Sequence, residues 1–135
     1  MTNKEIVKGS FASIDAKDFT TMKNYMDSKY QFRNPFATEP ISSDEHIGMS
    51  QMMSSSFSEA IHIIDVMAGD GDYVAVSARW KAKHTGEFNG IPASGNLVEF
   101  YFLEMFHIVN GKVLSTHVEF NPMTMMAQLG APVTA

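Results

Sequence analysis

The chain of 135 residues contains no cysteine, a single tryptophan and only five prolines. Without cysteine there is no thiol nucleophile, no disulfide framework and no thiolate metal centre. Charge is sparse too: 19% of residues are charged, and 10 Lys plus Arg face 15 Asp plus Glu for a net charge of -5. The basic residues are scattered and the pI is about 5.4, so the electrostatic footprint of a nucleic-acid binder is missing. No stretch approaches the ~20 apolar residues of a membrane helix. Lys4, Glu5 and Lys8 interrupt the first residues, which excludes a signal-peptide core, so the expected location is cytoplasmic and the expected partners include neither nucleic acid nor membrane.

Cofactor motifs are also lacking. Gly86, Gly90 and Gly95 do not have dinucleotide spacing, and there is no phosphate loop or nucleophile elbow. His46, His62, His84, His107 and His117 show no His-Glu-x-x-His pattern, and the turn at 69–72 lacks a calcium loop's ligands. No cofactor and no metal are expected.

What is present is a globular composition, 44% hydrophobic with 11 methionines, on a chain long enough to bury about 68–70% of its unfolded surface. One domain spanning 1–135 is expected. Thr2 with Glu5 has the form of a capping box, and Ile6, Val7, Ser10, Phe11 and Ile14 recur at helical spacing, predicting a helix over 3–15. Asp18 or Thr20 opens a second short helix ending near Asp27. Tyr30, Phe32 and Asn34 alternate with polar neighbours before Pro35, predicting a strand over 29–34. Ser42 with Glu45 repeats the capping box ahead of a third helix carrying Ile47, Met52, Met53 and Phe57.

From Ala60 the pattern becomes β. Strands follow up to the turn at 69–72, then over 72–84, 96–109 and 112–121, before Pro122 opens a last helix through Leu129. Val74, Val76, Ala78, Trp80, Ala82 and His84 share the inward face of the 72–84 strand. Three helices and then long antiparallel strands predict an α+β fold, with the helices on the concave side of a curved antiparallel sheet.

Asn110-Gly111 is a strong two-residue hairpin signal, so facing positions can be counted. In an unbroken ladder Ile108 faces Val113, Phe106 faces Ser115, Glu104 faces His117, Phe102 faces Glu119 and Phe100 faces Asn121. The other face carries Tyr101, Leu103, Met105, Val118 and Phe120. Helices cover one face only, so this second apolar face predicts a homodimer through those five residues. The polar and aromatic face then lines a pocket.

A carboxylate opposite an imidazole suits general acid-base catalysis, which is the functional reading of Glu104 with His117; a satisfied polar pair is the bland one. Asn121 can orient a carbonyl or enolate oxygen or simply end the strand. Asn34, Trp80, Phe100, Phe102 and Glu119 are candidate ligand contacts, with a turn residue (Asn34), core packing (Trp80) and a pocket rim (Glu119) as the plainer roles. The methionines suit a core filler as well as an adaptable lining for a flat apolar ligand.

The run His84-Thr85-Gly86-Glu87-Phe88-Asn89-Gly90-Ile91-Pro92-Ala93-Ser94-Gly95, then a long strand, Asn110-Gly111-Lys112-Val113 and Gln128-Leu129-Gly130, resembles the SnoaL-like polyketide cyclases. The resemblance spans nearly the whole chain. It implies the cone-shaped α+β barrel of nuclear transport factor 2-like proteins, a pocket between sheet and helices, and dimerisation through the sheet. The family's last strand usually reads Glu-x-Trp-x-x-x-Asp, and here those positions are Ser115, His117 and Asn121. The aspartate implied as the cyclases' acid-base group is thus an amide. His117 turned by Glu104 can act as the base in its place while Asn121 holds the oxyanion. The expected function is proton movement next to a carbonyl of an apolar small molecule, as a cyclase or isomerase. Its alternatives are noncatalytic binding of a hydrophobic ligand and a dimerisation module.

Overall fold

The computed structural model describes residues 1–130, in the order α1 (Asn3–Asp15), α2 (Phe19–Tyr25), β1 (Met26–Arg33), β2 (Ile41–Ser42), α3 (Ser43–Ser56), β3 (Phe57–Asp70), β4 (Tyr73–His84), β5 (Leu97–Val109), β6 (Lys112–Glu119) and α4 (Pro122–Gln128). Both capping boxes form. Thr2 Oγ1 accepts from the Glu5 amide and Ser42 Oγ from that of Glu45, and each glutamate accepts from the cap amide in return. Each such cap contributes ~1 kcal/mol to its helix. Asp18 caps α2 by accepting from the Thr21 amide.

The sheet has the order β2-β1-β6-β5-β4-β3 and is curved and unclosed. It is mixed rather than wholly antiparallel, because β1 runs parallel to β6. That arrangement follows from chain path: β1 precedes the other long strands and reaches the far edge of the β5–β6 hairpin. Helix α1 lies over β3 and β4, and α3 bridges β1 and β3. α4 docks through Gln128, whose side-chain amide donates to Glu99 O at 2.7 Å and accepts from Glu99 N at 2.8 Å, extending the ladder where β6 has ended.

Gly86 lets the loop after β4 close over the end of α3, since a Cβ there would come within 2.3 Å of Ser55 O. Asn110 and Gly111 both have positive φ, 52° and 75°, as a type I′ hairpin requires.

Two features depart from the expected strands. Phe57 belongs to β3 rather than α3, and it is fully buried against Trp80 and Phe88. More consequentially, the β5–β6 ladder is interrupted. Val109 pairs with Lys112 and Ile108 with Val113, but His107 then pairs with Ser115, Phe106 with Thr116, Met105 with His117, Glu104 with Val118 and Leu103 with Glu119. Leu114 is the extra residue of a β-bulge.

The expected facing of Glu104 with His117 therefore does not form. Past the bulge Thr116 and Val118 turn inward and are buried, while His117 and Glu119 turn outward. The physical reason is apolar phase. Val113 sits at an odd position, whereas Val118 and Phe120 sit at even ones, and only an extra residue lets all three face the core. The expected dimer face is corrected by the same shift. Tyr101, Leu103 and Met105 are exposed as read, but Val118 is core and Phe120 stacks on Phe100 at 4.8 Å.

Candidate functional site

A cavity of about 450 Å³ lies between the concave face of the sheet and helices α1 to α3, large enough for a drug-sized molecule. Its walls are Phe and Met, with Trp80, Phe100 and Phe102 from the sheet and Met49, Met52 and Met53 from α3. The polar groups on this apolar lining are few: Ser10, Asn34, His46, His62, Glu104, Thr116 and Tyr30 carry most of them.

His62 comes from β3. A bulge between Ile64 and Val66 resets that strand so that His62 faces Trp80 across the ladder. Its ring stacks on Phe11 at 4.8 Å and meets Phe102 edge-on at 5.8 Å. Asp15, the last residue of α1, binds it twice, Oδ1 accepting from Nδ1 at 2.6 Å and Oδ2 from the backbone amide at 3.0 Å. A carboxylate only accepts, so Nδ1 donates to Asp15 and Nε2 is the ring nitrogen left to face a ligand. This is the arrangement of an oriented general base.

Glu104 lines the cavity from β5 with no basic partner. Burial holds its carboxyl far above the usual carboxylate range, to about 8, against a smaller opposing effect of the Thr116 hydroxyl. Near neutral pH it is a carboxylic acid, able to donate a hydrogen bond. Beside it, the Tyr30 hydroxyl lies 2.9 Å from Thr116 Oγ1 and 2.9 Å from His46 Nδ1. Burial raises the Tyr30 phenol well above its ordinary value, and burial followed by the nearness of His62 lowers His46 to about 3. His46 is thus neutral, and it stacks on Phe32 at 3.7 Å.

Asn34 is buried at the end of β1. Its Oδ1 accepts from Phe36 N at 2.9 Å, which fixes the amide's orientation, and Nδ2 has no partner. Asn34 is therefore both a turn residue and a cavity-wall residue. Ser10 Oγ is the other orphaned polar atom on the lining.

The sequence-derived candidates divide into two groups. Glu104, Asn34, Trp80, Phe100 and Phe102 meet at the cavity. His117 and Glu119 pair with each other at 2.7 Å on the opposite side of the sheet, and Asn121 is an exposed cap of α4 whose Oδ1 accepts from Met123 N at 3.0 Å. His62, Asp15, Tyr30, Thr116 and His46 were not singled out as a site. The signal for Thr116 was the odd-to-even switch between Val113 and Val118. For His62 the sequence carries no such signal, since the apolar Ile61, Ile63, Ile64 and Val66 fall on both odd and even positions.

Among the described residues no cluster of three or more His, Asp or Glu forms a metal site, and no helix is long and apolar enough to cross a membrane. An open, curved sheet backed by helices around one apolar cavity defines the class of ketosteroid isomerase-like α+β proteins. Within it, the family model for SnoaL-like polyketide cyclases matches residues 5–129, and the chain belongs to that family. No curated protein matches it in sequence. Among solved structures it is similar to IdmH from Streptomyces antibioticus, at 21% identity and TM-score 0.86 over 97% of this chain and 100% of that one. AclR from Streptomyces galilaeus is similar at 20% identity and TM-score 0.84, with 94% of each chain covered. A ketosteroid isomerase-like protein from Catenulispora acidiphila, solved with trimethylamine, is similar at 16% identity and TM-score 0.79 over 99% of this chain and 100% of that one.

Proposed function

We propose that the protein is an enzyme that moves a proton next to a carbonyl of an apolar small molecule held in the cavity, leading to cyclisation or isomerisation. His62, oriented by Asp15, is the base, and neutral Glu104 donates to the carbonyl oxygen as enolate character develops. The observation that carries this reading is the presence of an aspartate-oriented imidazole and a carboxylic acid with no basic partner on one apolar lining. Trp80, Phe100 and Phe102 supply flat contact for the ligand skeleton, and Asn34 Nδ2 is a spare donor. Compared with the reading from sequence, the base moves from His117 to His62, and Asn121 has no part.

The test is deuterium exchange. A panel of steroid and polyketide-like ketones is incubated with the protein in D₂O, and label at the carbon beside the carbonyl is measured by mass spectrometry. Label that appears with wild type and is lost in His62→Ala supports the proposal. Ketones that bind without exchanging point instead to the second reading, a noncatalytic hydrophobic-ligand binder. That reading is favoured by the methionine-rich walls and by an amide at the family's acid position.

We also propose a homodimer through the outer face of the sheet. Tyr101, Leu103, Met105 and Val66 expose contiguous apolar surface there, of a kind that monomers seldom leave in water. Sedimentation should give twice the chain mass.

A further inference from the structure

The hydroxyls beside Glu104 form a chain that the reaction above does not require. Thr116 and Glu104 are diagonal neighbours on the inward face of the β5–β6 ladder, with the hydroxyl beside the carboxyl; Tyr30 is 2.9 Å beyond Thr116, and His46 Nδ1 is 2.9 Å beyond that. Each member belongs to a different element, β5, β6, β1 and α3 in turn. The far atom, His46 Nε2, is not closed off: the buried side-chain polar atoms left without a partner, among the described residues, are Ser10 Oγ, Asn34 Nδ2 and His84 Nε2.

We propose that Glu104, Thr116, Tyr30 and His46 form a proton relay through which the cavity carboxyl exchanges its proton at His46 Nε2. This adds to the proposed reaction, where Glu104 is the donor, three positioning residues that restore its proton.

The chain balances at every step. With Glu104 protonated, its O–H donates to Thr116, Thr116 donates to Tyr30, and Tyr30 donates to His46 Nδ1, so the imidazole proton is on Nε2. One hop along each bond moves the Glu104 proton to Thr116, the Thr116 proton to Tyr30, the Tyr30 proton to Nδ1 and the Nε2 proton to water. Glu104 is then a carboxylate, all three hydrogen bonds point towards it, and His46 is the Nδ1–H tautomer. The imidazole is neutral before and after, in keeping with the burial that disfavours its cation. No hydroxyl is left as an anion, in keeping with the raised phenol. The reverse sequence reloads Glu104.

The titratable groups facing this chain are Tyr30 from β1, His46 from α3 and His62 from β3, the last already paired with Asp15 of α1. From β4 and β6 the cavity receives Trp80, Val113, Thr116 and Val118, none of which titrates here. Glu104 is the ionisable end of the chain, its proton held to about 8, while His62 bears on His46 through its nearness alone, with no hydrogen bond between them.

The experiment is ¹⁵N NMR of His46 and ¹³C NMR of the Glu104 carboxyl on the ligand-free protein, titrated from about pH 5 to about pH 10. The expected result is that the protonated-type nitrogen signal moves from Nε2 to Nδ1 as Glu104 ionises. In Thr116→Val, Glu104 should still titrate while His46 no longer follows. In Glu104→Gln, the same size as the native side chain, His46 should keep one tautomer throughout. A His46 tautomer that stays constant while Glu104 ionises would overturn the relay. So would one that follows equally in Thr116→Val, or a Glu104 that holds one protonation state over the whole range. None of these readouts needs a ketone, so they are separate from the deuterium-exchange result.

Discussion

Two histidines in this chain hold a carboxylate at almost the same distance, and their surroundings make them different chemical objects. His62 Nδ1 is 2.6 Å from Asp15 with side chains 15% and 21% exposed, whereas His117 Nε2 is 2.7 Å from Glu119 with side chains 52% and 62% exposed. The His62 ring of the first pair is wedged between Phe11 and Phe102 on the lining of an apolar cavity, where fewer waters compete for the imidazole. The second lies on the outer face of the sheet beside Leu103 and Met105, more than half exposed on the single chain, and in the monomer such a pair contributes ~0–1 kcal/mol and is screened by salt. Distance alone does not separate a cavity pair from a surface pair; side of the sheet does.

The most direct way to break this comparison is to remove each imidazole in turn. His62→Ala should lower ketone proton exchange by ~10²–10⁴-fold, and Asp15→Asn should lower it too by releasing the ring, while His117→Ala leaves it within about twofold. Mass-spectrometric exchange rates at matched protein concentration decide it. Equal losses at His62 and His117 would mean that the two pairs do not differ as argued.

Adjacent residues of β5 offer the next contrast. Phe102 is buried in the core and Leu103 is exposed on the outer face. Phe102→Ala should cost ~3–5 kcal/mol, read from denaturant midpoints, and leave the oligomeric state unchanged. Leu103→Glu should convert dimer to monomer in sedimentation and spare the fold. A monomeric wild type would remove the dimer proposal outright.

Glu104 sharpens the comparison through pH. Its folded value, about 8, lies above the ordinary 4.5, so between those values the folded state binds more protons than the unfolded one. Its contribution to stability is complete below about 4.5 and is lost as pH rises through about 8. The melting temperature should therefore fall by about 5 °C or more across that window, and Glu104→Gln should flatten that fall. The smallest effect expected is that of Glu119→Gln made in the monomeric Leu103→Glu background, within about 0.5 kcal/mol in thermal melts, because its partner is exposed on the single chain.

Much of the fold could be read from local chemistry. Thr2 with Glu5, Ser42 with Glu45 and Asn110-Gly111 marked two helix starts and a hairpin because each is a short-range hydrogen-bonding or backbone-conformation device. The inward face of β4 followed from strict alternation through Trp80. The site was legible only in part, since what decides it is non-local. Glu104, Phe100 and Phe102 lie on the uninterrupted strand and reach the cavity as counted. His117, Glu119 and Asn121 lie beyond Leu114, where one extra residue reverses every facing. Asp15 and His62 are 47 residues apart, and only the packing of α1 on β3 joins them. The raised carboxyl of Glu104 likewise reflects its packing within the fold, opposed by the Thr116 hydroxyl of a neighbouring strand.

The bulge at Leu114 also determines how this protein can change in length. In a regular strand, gaining or losing one residue would exchange the two sets of side chains and place charged groups inside. Here the strand is already one residue out of step, so deleting Leu114, or inserting one residue beside it, would restore an even ladder with Val113, Thr116 and Val118 still facing inward. Loss of Leu114 would leave Thr116 opposite Phe106 and Val118 opposite Glu104, whereas a gained residue would keep their facing but slide them two positions along β5.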